Sequence, residues 1–149
     1  MLSRFEQFTG FVAALSRDIQ RIEREEMEKQ GLRGAFAQYL LAMSQHPEGI
    51  TAAALCDICD KDKAAVSRIL SEMDSKGLLL REDGAKSYRA KLFLSPEGKK
   101  AADFVKERAS VAVELAGEGL SMEARQSFYT TLEQIASNLH TLAQEGIPD

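Results

Sequence analysis

The sequence contains no apolar run approaching the length of about eighteen residues that a membrane-spanning helix requires, so it reads as having no membrane partner. Its opening residues, Met1 to Phe11, already include Arg4 and Glu6, and no small-residue cleavage site follows, which argues against a signal peptide. It has only two cysteines, Cys56 and Cys59, and with no secretory signal that points to a reducing, cytoplasmic setting. The two histidines, His46 and His140, are isolated from one another and make no zinc-binding cluster. No phosphate loop, Ser/His/Asp or Cys/His constellation is present, so an enzyme is disfavoured and neither a cofactor nor a metal is called for. Repeats and low-complexity segments are absent too.

What remains is a chain of 149 residues, 44% hydrophobic and 28% charged, which is enough to build one compact domain with a real core. The net charge of −4 is unsuited to coating nucleic acid indiscriminately. Its distribution is more informative than its sum. Residues 61–91 hold eight Lys/Arg against five Asp/Glu, a surplus of three, so the remainder carries −7. A basic segment inside an acidic protein marks a localised binding surface for a polyanion.

That segment centres on Asp62 to Lys76. Val66, Ile69, Leu70 and Met73 recur at the spacing of one helical face. Asp62 suits the N-cap and Gly77 the left-handed residue beyond the last turn. The opposite face carries Lys63, Ala64, Ser67, Arg68 and Ser71, with no carboxylate until Glu72. An ordinary solvated face would intersperse Glu and Lys. This one is small, flat and basic, as a DNA recognition helix must be.

Around it the chain reads as helices. Leu2, Phe5, Phe8, Val12, Leu15, Ile19 and Ile22 predict a long first helix from Ser3 to Gly31, with more apolar surface than a small domain needs. A second helix is expected from about Gly34 to Gln45, stopped by His46-Pro47-Glu48-Gly49. Thr51 caps a short third, Ala52 to Cys59, and the polar turn Asp60-Lys61 leads into the 63–76 helix, giving a helix-turn-helix. Leu78 to Arg81 and Tyr88 to Leu94 predict a hairpin, a wing. Ser95 and Pro96 start a fifth helix ended by Gly117-Glu118-Gly119, and Ser121 caps a last one striped by Phe128, Leu132, Ile135, Leu139 and Leu142.

Three stretches carry a resemblance. Asp62-Lys63-Ala64-Ala65-Val66-Ser67-Arg68-Ile69-Leu70, then Lys76-Gly77-Leu78 with Arg81, then Tyr88-Arg89 with Leu92 and Leu94-Ser95-Pro96-Glu97-Gly98, resemble the recognition helix, its exit and the wing closure of the MarR (multiple antibiotic resistance regulator) family of winged-helix transcription factors. The resemblance is strongest over 50–100 and architectural in the first and last helices. Ser87 departs from the pattern, standing where many members carry an Asp. The family implies a mainly α fold with a small β-hairpin wing. The winged helix-turn-helix would occupy 31–95, and helical dimerisation regions 1–30 and 96–149. It further implies a homodimer on a pseudo-palindromic operator in double-stranded DNA, repressing by occluding a promoter. A rival reading is a winged-helix dimer acting through protein contacts.

The residues expected at DNA follow. Ser67 and Arg68 enter the major groove, and Arg68 can hold a guanine edge or a phosphate. Lys61 and Lys63 sit at the turn and helix N-terminus, where phosphate is favoured. Ala64 and Ser71 allow close approach. On the wing, Lys86, Ser87, Tyr88 and Arg89 face the adjacent groove or backbone. A small-molecule effector, which the family also implies, would lie between the first two helices, the fifth and the winged region, with Phe11, Tyr39 and Met43 candidates by position. Cys56 and Cys59 share a helix face at i, i+3, which is open to three uses: packing, a redox pair, or a soft-metal site.

Overall fold

Five of the six described helices begin where a side-chain oxygen caps them. A computed structural model describes residues 3–82 and 88–149. Its order is α1 (Arg4–Lys29), α2 (Phe36–Ser44), α3 (Ala52–Cys59), α4 (Lys63–Ser75), β1 (Leu79–Arg81), β2 (Leu92–Leu94), α5 (Pro96–Ala116) and α6 (Met122–Glu145). Ser3 and Glu6 form a reciprocal capping box at α1, with the Ser3 N–H donating to Glu6 Oε2 at 2.8 Å and the Glu6 N–H to Ser3 Oγ at 3.1 Å. Thr51 accepts from the Ala54 N–H at 3.1 Å, Asp62 from Ala65 at 2.7 Å and Ser121 from Ala124 at 3.0 Å, as the sequence implied.

The chain divides into two compact units, Met1–Ala112 and Val113–Asp149, with the boundary inside α5. The first unit has a core of Met27, Phe36, Tyr39, Leu40, Leu55, Val66, Met73, Leu92 and Val105, all fully buried. Only the C-terminal end of α1 contributes to it, through Glu26 and Met27. Glu26 is buried with two cations, Lys29 at 2.8 Å and Arg108 at 3.4 Å. The Lys29 bond, aided by the charges of Lys29 and Arg108, holds its carboxyl below the usual value against the opposing effect of burial. Ahead of that turn, Phe5, Phe8, Phe11, Val12, Leu15 and Ile19 are exposed.

Two expectations need correction. α2 begins at Phe36, after a turn in which the Phe36 N–H donates to Arg33 O, so Gly34 and Ala35 precede the helix. The returning strand is short: Tyr88 to Ala90 form a turn, and β2 is confined to Leu92–Leu94. It pairs antiparallel with β1 in the register Leu79↔Leu94, Leu80↔Phe93 and Arg81↔Leu92, burying Leu79, Leu92 and Leu94. Leu92 also exchanges both backbone bonds with Ile50, at 2.8 and 3.0 Å, so it has a partner on each side.

The exit from α4 is closed by Gly77 at φ 73°, whose N–H donates to Asp74 O while the Leu78 N–H donates to Met73 O. A side chain at that φ would be strained, and those two bonds satisfy carbonyls the helix end would otherwise leave unpaired. Beyond the hairpin, buried Ser95 donates to Gly77 O at 2.6 Å and accepts from the Gly98 N–H at 3.0 Å. Gly98 meets Leu78 so closely that an added Cβ would stand 2.2 Å from the Leu78 carbonyl oxygen. One hydroxyl and one glycine thereby seat the start of α5 against the end of α4.

In the second unit Arg125 joins α6 to the end of α5, donating to Glu114 Oε2 at 2.7 Å and to Glu114 O at 3.2 Å. None of α6 is buried, and Phe128, Leu132, Leu139 and Leu142 are all exposed. No described helix is long and apolar enough to cross a membrane.

Candidate nucleic-acid interface

Two short helices and the turn between them present the basic segment. Asp60 ends α3 in the left-handed region at φ 51°, a conformation that Asp tolerates better than most residues. Lys61 follows, its N–H donating to Cys56 O at 3.0 Å. Asp62 then turns its carboxylate inward as the cap of α4. The one acid between Lys61 and Lys63 is thus engaged with the Ala65 backbone N–H.

On α4 the apolar stripe is buried as its spacing required: Val66, Leu70 and Met73 lie in the core and Ile69 is half-buried. Lys63, Ala64, Ser67, Arg68 and Ser71 are all exposed, forming a continuous small and basic face. Glu72, the nearest carboxylate along the helix, is engaged by Arg33, whose Nη1 reaches its two oxygens at 2.6 and 2.5 Å. Sequence reading missed Arg33. The partners are 39 residues apart, and only the fold brings them together. A second pair, Arg81 with Asp74 at 3.4 Å, ties β1 back to the last turn of α4.

The end of the wing returns to this surface. Lys63 Nζ lies 4.5 Å from the centre of the Tyr88 ring, and the Tyr88 hydroxyl lies 3.2 Å from Cys56 Sγ. Tyr88 therefore packs its phenol against α3 and the head of α4, and its ring carries the Lys63 ammonium on one side. The bond to Cys56, with burial and the charges of Cys56 and Asp57 adding, raises the phenol above its usual pKa and keeps it protonated. Arg89 is exposed. Lys86 and Ser87 lie outside the described residues.

Cys56 and Cys59 are both free thiols. Cys59 is buried, and burial, reinforced by Cys56 and only partly opposed by Lys61, pushes its thiol upward. A thiol that holds its proton is a poor nucleophile and a poor metal ligand, which favours packing for Cys59. Among the described residues no group of three or more His, Cys, Asp and Glu is placed to hold a metal.

The three effector candidates are dispersed. Phe11 is exposed on α1, while Tyr39 and Met43 are buried in α2. A cavity of about 440 Å³ opens elsewhere in the first unit, lined by residues of the α2 end, both strands and α5, and of the three candidates only Met43 reaches it.

Comparison with known proteins agrees with this geometry. The MarR family model matches residues 30–89, which run from the end of α1 through α4 to the wing. Among solved structures, a MarR transcriptional regulator from Methanosarcina mazei Go1 has 21% identity and a TM-score of 0.78, covering 95% of this chain and 94% of its own. MepR from S. aureus, solved in a complex with DNA, has 17% identity and a TM-score of 0.65 over 92% of this chain and 99% of its own. CouR from Rhodococcus jostii RHA1, bound to p-coumaroyl-CoA, has 15% identity and a TM-score of 0.70 over the full length of both chains. At these identities the structures establish the fold. A comparison with curated proteins gave no match.

Proposed function

We propose that this chain, whose residues 30–89 match the MarR family model, is a transcriptional regulator that binds duplex DNA as a homodimer and represses from a pseudo-palindromic operator. The observation that carries this reading is the face of α4, where five exposed small or basic residues are unbroken by a free carboxylate: Asp62 caps the helix and Glu72 is held by Arg33. Such a face fits the major groove. Arg68 would read a base edge, Ser67 would stand beside it, and Lys61 and Lys63 would contact phosphate.

A dimer supplies the second half-site at roughly 34–36 Å, one turn of DNA away. The exposed apolar stripes of α1 and α6 supply surface for such an assembly. The DNA-bound MepR supports DNA as the partner, and the ligand-bound CouR supports control by a small molecule. On this reading the protein acts in the cytoplasm, beside its DNA.

The test is an anisotropy titration against the intergenic DNA flanking its own gene, at two salt concentrations. Saturation at two chains per site, with preference over random DNA, is the expected outcome. Lys63→Ala should weaken all sequences alike and flatten the salt dependence by about one unit of slope. Absence of any preference would favour a winged-helix dimer that acts through protein contacts.

A further inference from the structure

α4 contains two acids, Glu72 and Asp74, and each is met by an arginine from outside the helix. The two pairs differ in what they can do. Arg81 is held in the sheet with its side chain 18% exposed, and its bond to Asp74 fastens β1 to the last turn of α4. The Arg33 and Glu72 side chains are 58% and 42% exposed, and an ion pair so open to water adds little to stability. Its weight falls on the charge of the helix face instead.

Glu72 stands four residues after Arg68 and directly after Ser71, so it borders the small, basic face at helical spacing. Among the described residues Arg68 makes no ion pair or hydrogen bond, and Arg33 supplies the one side-chain partner of Glu72. The backbone holds Arg33 in place for this contact. The Phe36 N–H donates to Arg33 O at 3.0 Å, and the next residue, Gly34, lies so close to α1 that an added Cβ would stand 3.0 Å from the Arg24 Cβ. The turn that carries Arg33 is therefore seated on α1.

Without the Arg33 guanidinium, the Glu72 carboxylate has two courses. It stands bare at the edge of the face, or it pairs with Arg68 one turn back at i, i+4, a contact worth about twofold on an exposed helix. The first course adds a negative charge beside the groove, and the second consumes the arginine that would enter it. Either one takes a net positive charge from the face. We infer that Arg33, which lies outside both the helix-turn-helix and the wing, determines DNA affinity through Glu72: it masks this carboxylate and leaves Arg68 available to the groove. The inference rests on the DNA-binding reading and adds to it a residue that touches no DNA itself.

A double-mutant cycle decides it. The full chain, Arg33→Ala, Glu72→Gln and Arg33→Ala/Glu72→Gln are titrated by anisotropy against the intergenic duplex flanking the gene and against a random duplex. The salt is held at about 0.15 M, where charges beyond about 8 Å are largely screened. Arg33→Ala should bind about fivefold or more weakly, the scale of one like-charge pair at about 4 Å in water. Glu72→Gln breaks the same ion pair, yet should bind at least as tightly as the parent, a sign that a merely structural bridge would not give. In the double variant the loss should vanish, to within about twofold of Glu72→Gln. Arg33→Lys keeps the charge and should stay within about twofold of the parent. Circular dichroism checks that each variant is folded. An unchanged Arg33→Ala, or an equal loss from it whether residue 72 is Glu or Gln, would overturn the inference, the second making Arg33 a phosphate contact. Weaker binding by Glu72→Gln would overturn it as well, making the pair a structural tie. All three leave DNA binding standing, whereas a parent that binds neither duplex would overturn that reading and the inference with it.

Discussion

α4 and α6 are built alike and end up differently. Each is capped by a side-chain oxygen that accepts from the third residue beyond it, and each carries an apolar stripe at helical spacing. In α4 the stripe is consumed by the core, with Val66 and Met73 wholly covered. In α6 no residue is buried, and Phe128, Leu132, Leu139 and Leu142 stay open. Periodicity specifies that a face needs covering. It does not specify what covers it, and here the same signal serves a core in one helix and an unpartnered surface in the other.

The sharpest way to break the comparison is to truncate both stripes. Met73→Ala should cost about 2–5 kcal/mol of stability, read as a lower urea midpoint, because the site is enclosed and leaves a cavity. A cost below about 1 kcal/mol would mean the α4 face is less tightly covered than it looks. Arg68→Ala tests the other side of α4 and should leave that midpoint unmoved while weakening specific DNA binding by about 1–3 kcal/mol. Equal losses on operator and random DNA would remove Arg68 from base reading.

On α6, Leu132→Glu should raise the dissociation constant of self-association by about tenfold, or about 1.4 kcal/mol, in sedimentation equilibrium. Unchanged association would show that another surface joins the chains. The smallest effect belongs to Glu26. Its carboxyl is held below the usual value, so its contribution to stability is present above the unfolded pKa and is lost as pH falls through the folded one. Urea midpoints of the parent and Glu26→Gln should therefore converge on going from pH 7 toward pH 3. A gap that stays constant would make the Lys29 and Arg108 contacts independent of charge.

The parts of the fold legible in the sequence are those with local causes. Ser3, Thr51, Asp62 and Ser121 announce their helices because a cap acts within three residues, and Gly77 announces the exit from α4 because its positive φ suits glycine. Tyr88 misleads for the opposite reason. Its aromatic ring favours a strand by propensity, but its hydroxyl and ring are taken by Cys56 and Lys63, and the backbone turns to let them meet. Arg33 and Glu72 carry no mutual signal across 39 residues, and the cavity is assembled from four separate stretches of chain. The exposed residues of the α4 face could be named from the helix wheel. Which carboxylates would be neutralised by partners could not.

Ser95 has a mechanical consequence. Its single oxygen is bonded both to the carbonyl that follows α4 and to the N–H of Gly98 in the first turn of α5, and Gly98 leaves no space for a side chain at the contact. The joint has no slack. A tilt or slide at the head of α5 must either break two hydrogen bonds at once or carry the tail of α4 with it. α5 is thus coupled to α4 as one lever arm is to another across a pin, and torque applied along α5 is delivered to the helix that carries the small, basic face.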